Sequence, residues 1–152
     1  MNILGLHIFG HDTGAALISE GRLMAIAEER VDRRKHSGSF PVMSVNYLLK
    51  ATGLKNVNDV DLVVAVTRYG KDGRDKTGDS IRERLGYSGR IHTISHHEAH
   101  AASAFFASPF DEAAVMVVDG LGSSALEIET DRPLPFMLRG LPFKDVKNYE
   151  EV

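Results

Sequence analysis

Short apolar runs separated by turn-forming residues dominate the first third of the chain. Residues 2–8, 15–19 and 23–28 are apolar runs of strand length. Runs of this length bounded by glycine and polar residues are typical of β-strands, so three strands are predicted. The links at 10–14 and 20–21 are short, and links this short join antiparallel neighbours. The pattern therefore predicts an antiparallel meander.

Helical spacing appears next, between Pro41 and Gly53. Val42, Val45 and Leu48 recur at intervals of three residues on one face of a helix. Proline suits the first helical position and glycine suits the end of a helix. We therefore predict a helix that starts with Pro41 at its first position and stops at Gly53.

Beyond residue 53 the pattern alternates between strands and a helix. The continuous apolar run at 60–66 predicts a strand buried on both faces. Residues 69–80 are polar and rich in glycine, which predicts an exposed loop. The further predictions are a short helical turn at 81–85, a strand at 90–94, a helix at 97–106 and a core strand at 113–118.

This order of elements predicts an α/β fold with a sheet of mixed direction flanked by helices. After Gly120 a glycine turn and further short apolar runs begin the pattern again. We therefore expect residues 1–112 to form a first half and residues 113–152 to form the opening strands of an incomplete second half. A half-built sheet has an exposed edge, which predicts a homodimer or a partner subunit.

Composition excludes several function classes. The 152-residue chain has a net charge of −3 and no long basic tract, so nucleic-acid binding is not expected. It contains no cysteine, which excludes disulfides, thiolate metal sites and cysteine nucleophiles. No apolar run approaches the roughly 18 residues of a membrane span, and no secretory signal pattern is present. We therefore expect no membrane association and a cytoplasmic protein.

Three histidines and a glutamate lie within five residues at the start of the helix predicted at 97–106. His96 and His100 are four residues apart, so they share one helix face. Two imidazoles at this spacing can hold one metal ion. An all-nitrogen-and-oxygen site is compatible with iron, zinc, manganese or magnesium, and two imidazoles favour iron or zinc. The alternative is a polar helix start whose histidines face water. His97 and Glu98 could contact a ligand or support the metal-binding residues, but we expect them to face solvent.

Two turns place an aspartate and glycines after an apolar strand. The first contains Asp12, and the second is Asp119-Gly120-Leu121-Gly122. An aspartate at a strand end can hold a metal ion, and glycines let backbone N–H groups approach phosphate oxygens. Each turn taken alone is better explained as a simple hairpin turn. Together the two turns could grip a phosphate chain between them.

A dense group of charges lies at residues 28–36, where glutamates are followed by arginines, a lysine and a histidine. Arginine binds phosphate and carboxylate groups in a bidentate manner, so anion recognition is one interpretation. The interpretation we favour is a solvated loop that carries its own ion pairs.

Five short segments of the sequence together resemble the N-terminal part of the nodulation-type O-carbamoyltransferases, a group that includes antibiotic carbamoyltransferases. The resemblance extends from residue 2 to about residue 126. It is carried by the residues at 10–17, 27–36, 40–41, 96–105 and 118–122, which read GHDTGAAL, AEERVDRRKH, FP, HHEAHAASAF and VDGLG.

The resemblance implies a ribonuclease-H-like half of an actin-like ATPase fold, similar to that of the tRNA threonylcarbamoyl transferases. It also implies that ATP and carbamoyl phosphate form a carbamoyl-adenylate, whose carbamoyl group then passes to a hydroxyl acceptor. The resemblance assigns a divalent metal to His96 and His100, with Asp119 as a further ligand or a carboxylate beside the phosphates. It implies that four further residues lie near the nucleotide with Asp12, namely Thr13, Gly120, Leu121 and Gly122.

Three functions follow from these observations. The first is the N-terminal part of an O-carbamoyltransferase, whose activity as an isolated chain is uncertain. The second is a non-catalytic nucleotide-binding, metal-binding or assembly module of the same fold that needs a partner chain. The third is a small kinase or phosphatase, which the two Asp-and-Gly turns allow but in which the histidines have no role.

Overall fold

The computed structural model describes residues 1–66 and 75–118. Contacts divide the chain into two units, Met1–Thr93 and Ile94–Val152. Within the described ranges the structure has five strands, four α-helices and one 3-10 turn at Val57–Asp59. The predicted division at residue 112 concerns residues beyond the described ranges as well, so it stays a prediction.

The meander predicted from the first apolar runs is confirmed. Strands β1 (Ile3–His7), β2 (Gly14–Ser19) and β3 (Arg22–Ala27) pair antiparallel, β1 with β2 and β2 with β3. Leu4 and Leu17 face each other across the first pair and are fully buried. Alternate positions of β1 and β2 therefore point into the core, as the period of two in a strand requires.

The sheet is mixed, as predicted. Strand β4 (Leu62–Val66) pairs parallel with β1, and β5 (Arg90–Ile94) completes the order β3-β2-β1-β4-β5. β4 is an inner strand, and Val63 and Ala65 are buried, which agrees with its continuous apolar sequence. The α/β class is thereby confirmed.

Helices α2 (Val42–Thr52) and α3 (Thr77–Leu85) accompany this sheet. In α2, Val45 and Leu48 from the predicted helical face are buried, whereas Val42 is only half-buried. Gly53 ends the helix in a left-handed conformation. Pro41 precedes the first helical residue instead of occupying that position. In α3, residues 77–80 are helical, so the loop predicted at 69–80 is wrong there. Thr77 and Ile81, one turn apart, are both fully buried, and this packing favours the helix.

A one-turn helix that was not predicted, α1 (Glu28–Asp32), follows β3 directly. The predicted third strand included Glu28, and the structure corrects this. The backbone N–H of Glu28 still donates to the Thr13 carbonyl at 2.8 Å. Its carboxylate accepts hydrogen bonds from the N–H groups of Met43 (3.1 Å) and Ser44 (2.8 Å) at the start of α2.

Glu28 is therefore a buried acceptor at the positive end of α2, and its side chain is only 2% exposed. The first N–H groups of any helix lack partners within the helix, and a carboxylate satisfies them and complements the helix dipole. No side chain of the residue preceding α2 caps this helix. A residue from the end of a neighbouring strand thus performs the capping function.

Tyr87 ties the segment after α3 to the sheet. Its hydroxyl donates to the Val60 carbonyl at 3.2 Å, and its ring is 1% exposed. Burial, and next the charge of Asp61, raise the pKa of this phenol. Tyr87 is thus a neutral core residue with a satisfied hydroxyl.

The strand predicted at 113–118 is wrong. These residues have no regular secondary structure, and Met116 and Val118 are 85% and 75% exposed. A strand needs a hydrogen-bonded neighbour, and none is present for this segment in the described part of the chain. The apolar sequence at 113–118 was therefore not sufficient evidence for a strand.

Replacing Glu28 by Ala leaves two N–H groups of α2 without an acceptor and creates a small void. We expect Glu28→Ala to lower the free energy of unfolding by about 2–4 kcal/mol, measured by urea denaturation. Glu83→Ala, on the exposed face of α3, is the control and should change it by less than about 0.5 kcal/mol. Similar small effects of both substitutions would contradict the capping role.

Candidate functional site

The register of the meander gathers polar residues at one end of the sheet. Gly14 pairs with His7 on one side and with Ala27 on the other. The loop that precedes β2 and helix α1 that follows β3 therefore leave the sheet at the same end. This brings Asp12 and Glu29 together, although 17 positions separate them in the sequence.

Asp12 joins two imidazoles at this end. One carboxylate oxygen lies 2.6 Å from His11 Nδ1, and the other lies 2.9 Å from His36 Nδ1. Hydrogen bonds from His11 and then His36 hold the pKa of Asp12 below its usual value. Asp12 and His36 both have left-handed backbone conformations, with φ of 59° and 55°. Such angles are uncommon outside glycine and are tolerated best by residues such as aspartate, asparagine and histidine.

Glu29 completes this group, which we call the loop cluster: Asp12, Glu29 and His36. A Glu29 carboxylate oxygen accepts the backbone N–H of His36 at 2.9 Å. One potential metal-ligating atom from each residue lies within 4.8 Å of the other two. One imidazole and two carboxylates are a donor set suited to divalent metals that prefer nitrogen and oxygen ligands.

Thr13 joins the loop that precedes β2 to the loop that follows α1. Its hydroxyl lies 2.6 Å from the Ser39 carbonyl and 3.2 Å from that of Ser37, and its backbone N–H donates to Ser37. The side chain is fully buried. Thr13, predicted to lie near a nucleotide, thus directs its hydroxyl to carbonyls of its own fold, whereas Asp12 is exposed.

A second contact fixes the same two loops. A Cβ atom added to Gly38 would lie 2.5 Å from the carbonyl oxygen of Gly10. That distance is below van der Waals contact, so the two backbones approach as closely as only glycine permits. Nearby, the Ser37 hydroxyl donates to Asp32, and this bond, followed by one from the Arg34 N–H, lowers the pKa of Asp32.

The histidine pair lies in the second unit, on helix α4 (His96–Phe106). The Nε2 atoms of His96 and His100 are 3.0 Å apart, and the ring planes are nearly perpendicular. Two nitrogens about 2.1 Å from one ion would lie roughly 3.0 Å apart at a right angle and roughly 3.4 Å apart at a tetrahedral angle. The observed 3.0 Å is the distance of an imidazole N–H···N hydrogen bond, and it is also short enough for both nitrogens to bind one ion.

Ser95 and Glu98 explain why α4 begins at His96. The Ser95 hydroxyl accepts the Glu98 N–H at 3.1 Å, and the Glu98 carboxylate accepts the Ser95 N–H at 2.7 Å. This reciprocal capping box fixes the first turn, which carries His96. The sequence Ser95-His96-His97-Glu98 was a signal for it. Glu98 is only partly exposed and His97 is 7% exposed, so the expectation that both face solvent is wrong for His97.

The remaining predicted site residues lie outside the described residues. They are Asp119, Gly120, Leu121 and Gly122. Sequence reasoning missed Glu29 and His36, because the charges at 28–36 were interpreted as a solvated loop. Two signals were present: the segment 27–36 is one of the blocks that carry the family resemblance, and it follows a strand whose end meets the turn at Asp12.

Comparison with known proteins identifies a family. The chain matches the family described as "Carbamoyltransferase N-terminus" over residues 2–77 and 81–130, which is most of its length. This range contains the loop cluster, the histidine pair and the turn at 119–122.

Curated relatives include an uncharacterized protein of Synechocystis, sll1178, which is 32% identical over 82% of this chain and 26% of its own length. The nodulation protein NolNO of Sinorhizobium fredii is 29% identical over 77% of the chain and 20% of its own length. An uncharacterized protein of Methanocaldococcus jannaschii, MJ1051, is 30% identical over 74% of the chain and 21% of its own length. The chain thus spans about a fifth to a quarter of these relatives. In the described part of the chain, no helix is long and apolar enough to cross a membrane.

Replacing Gly38 by Ala forces the loops at Gly10 and Gly38 apart. Because the clashing atom is a backbone oxygen, we expect a loss of about 1–3 kcal/mol of stability, measured by thermal or urea unfolding. Gly78→Ala in α3 is the matched control, since an added Cβ there has no atom within 4 Å. It should be neutral or stabilise by up to about 1 kcal/mol. Equal stability of the two variants would contradict the close approach.

The carboxyl of Asp12 should titrate below 3.8, its value without neighbours, when followed by carbon-detected NMR. Because folding lowers this pKa, its stabilising effect is present above 3.8 and is lost as the pH falls through the folded value. In His11→Ala/His36→Ala the midpoint should rise, since both hydrogen bonds are removed. His92→Ala, a histidine outside this network, is the control. An unchanged midpoint in the double variant would contradict the assigned hydrogen bonds.

Proposed function

The chain belongs to the carbamoyltransferase N-terminus family, and we propose that it is the N-terminal part of an O-carbamoyltransferase. In this proposal the carbamoyl group of carbamoyl phosphate reaches a small-molecule hydroxyl acceptor through an ATP-derived carbamoyl-adenylate. The family match supports the class of reaction. The similarity to a protein named for nodulation supports the nodulation-type branch of the family.

The proposed fold is the ribonuclease-H-like half of an actin-like ATPase. A meander of three strands followed by a strand parallel to the first is the observed core of the sheet. Such a sheet has a defined end at which loops from different strands meet. In this proposal that end, with Asp12, faces the nucleotide, and the turn Gly120-Leu121-Gly122 contributes backbone N–H groups to the phosphates.

The observation that carries the metal part of the proposal is the 3.0 Å between the Nε2 atoms of His96 and His100. Both nitrogens converge on one point, and their helix is fixed at its start by the capping box. In the proposal these two residues hold a divalent ion, with Asp119 as a further ligand. Such an ion would neutralise phosphate charge and orient the carbamoyl donor. Two imidazole ligands favour iron or zinc, and magnesium is also compatible with the site.

The chain's own residues would act by binding and orienting. In the transfer step, the acceptor oxygen forms a bond with the carbamoyl carbon while the bond from that carbon to the adenylate oxygen breaks. AMP leaves with the electron pair, and the hydroxyl proton passes to a base. The largest contribution that a rigid sheet end can make to such a reaction is to hold the acceptor hydroxyl and the carbamoyl carbon close together in the reactive orientation.

A second candidate is a non-catalytic binding or assembly module that needs a partner chain. Residues 113–118 favour it, because apolar side chains there are exposed at Met116 and Val118. A partner strand at this segment would cover them. Light scattering distinguishes the candidates, since the module is expected to be a dimer or to require a second subunit.

Removing both imidazoles should abolish metal binding at α4. We expect His96→Ala/His100→Ala to weaken Fe²⁺ binding by at least about tenfold, measured by anaerobic calorimetry and by metal content. ATP and carbamoyl phosphate titrated with Fe²⁺ present should bind the unaltered chain and lose metal-dependent binding in this variant. Ser103→Ala, an exposed change on the same helix, is the control. Equal iron content in all three proteins would exclude a metal role for the pair.

A further inference from the structure

We propose that the loop cluster of Asp12, Glu29 and His36 is a second divalent-cation site, separate from the histidine pair of α4. The ligands come from three segments: the loop before β2, helix α1, and the loop that follows α1. The proposal stands on the geometry of the first unit and does not depend on the carbamoyl-transfer proposal.

Ligand spacing is the first argument. The three donor atoms lie within 4.8 Å of one another. Ligands about 2.1 Å from an octahedral ion lie about 3.0 Å apart when adjacent and about 4.2 Å apart when opposite. The side chains of Asp12 and His36 are 46% and 66% exposed, so they can rotate by the small amount that closes the remaining gap.

Preorganisation is the second argument. The register of β2 and β3 brings Asp12 beside α1, and the buried Thr13 binds the carbonyls of Ser37 and Ser39. The contact between Gly10 and Gly38 fixes the separation of the two loops. The backbone therefore holds the three ligands before any ion arrives, and less conformational entropy is lost on binding.

Charge is the third argument. The two carboxylates of the loop cluster carry negative charge. Arg30 Nε lies 3.5 Å from Glu29. The imidazoles of His11 and His36 lie 2.6 and 2.9 Å from Asp12. A divalent ion would compensate this charge more fully than one partly exposed arginine.

The donor set identifies the class of ion. One nitrogen and two carboxylate oxygens, with no sulfur, suit Mn²⁺, Fe²⁺ or Zn²⁺. Because the cluster is exposed, water or an anionic oxygen of a substrate would occupy the remaining coordination positions. The alternative is an ion-pair network that binds protons but no metal, and the experiment separates the two.

The test uses Mn²⁺ as a paramagnetic probe on the 152-residue chain with His96→Ala/His100→Ala in place, so that α4 contributes no ligand pair. We expect the backbone amide signals of Asp12, Glu29 and His36 to broaden selectively in NMR spectra. Calorimetry should show one equivalent of Mn²⁺ bound. Adding Glu29→Gln should weaken that binding by at least about tenfold, whereas the control Glu83→Gln should leave it unchanged.

Glu29→Gln keeps the shape of the side chain and an acceptor for the His36 N–H, so folding should be retained, as far-UV circular dichroism can verify. A second variant, Asp12→Asn/His36→Gln, removes two ligands and should abolish the selective broadening. Broadening that is uniform over the surface, or that persists in either variant, would overturn the proposal. Because the α4 histidines are absent throughout, a negative result would leave the proposed metal role of His96 and His100 untouched.

Discussion

The buried carboxylate of Glu28 is the interaction on which the arrangement of the first unit depends. It accepts two N–H groups from the first turn of α2, and the Glu28 backbone still extends the ladder of the meander through Thr13. One residue therefore joins the sheet to the helix that covers it. A buried carboxylate is costly unless its oxygens are hydrogen-bonded, so this position tolerates little displacement. The loop at 33–40, which runs between α1 and α2, has both ends fixed as a result.

The loop cluster is a consequence of this constraint together with strand register. β2 begins at the same end of the sheet at which β3 finishes, so the residues just before one strand and just after the other must meet. Thr13 and the close approach of Gly10 and Gly38 then set the distance between the loops. Strand register and these contacts bring Asp12, Glu29 and His36 together, and hydrogen bonds join His36 to the carboxylates of Asp12 and Glu29.

The two groups of candidate ligands differ in how they are built. The histidine pair is local in sequence: one helix turn places the two imidazoles together, and a capping box fixes the start of that helix. The loop cluster is non-local, since three segments supply it. The chain belongs to the carbamoyltransferase N-terminus family. In the function proposed above, carbamoyl phosphate and a nucleotide would be the anions that a divalent ion at either group could bind and orient. Each group lies in its own unit and can be tested by itself.

Sequence alone determined the elements whose signals are local. The meander, the span of α2 with its terminal glycine, the inner strand β4 and the shared face of His96 and His100 follow from periodicity and turn residues. The resemblance to the family was also present in the sequence. Tertiary structure alone decided that Glu28 leaves the strand to cap α2, that Thr77 begins a helix and that His97 is buried. It also decided that residues 113–118 form no strand with any described part of the chain. It also brought Glu29 and His36 to Asp12. The physical reason is the same in each case: partners distant in sequence supply the hydrogen bonds and packing, and a pattern of neighbouring residues carries no information about them.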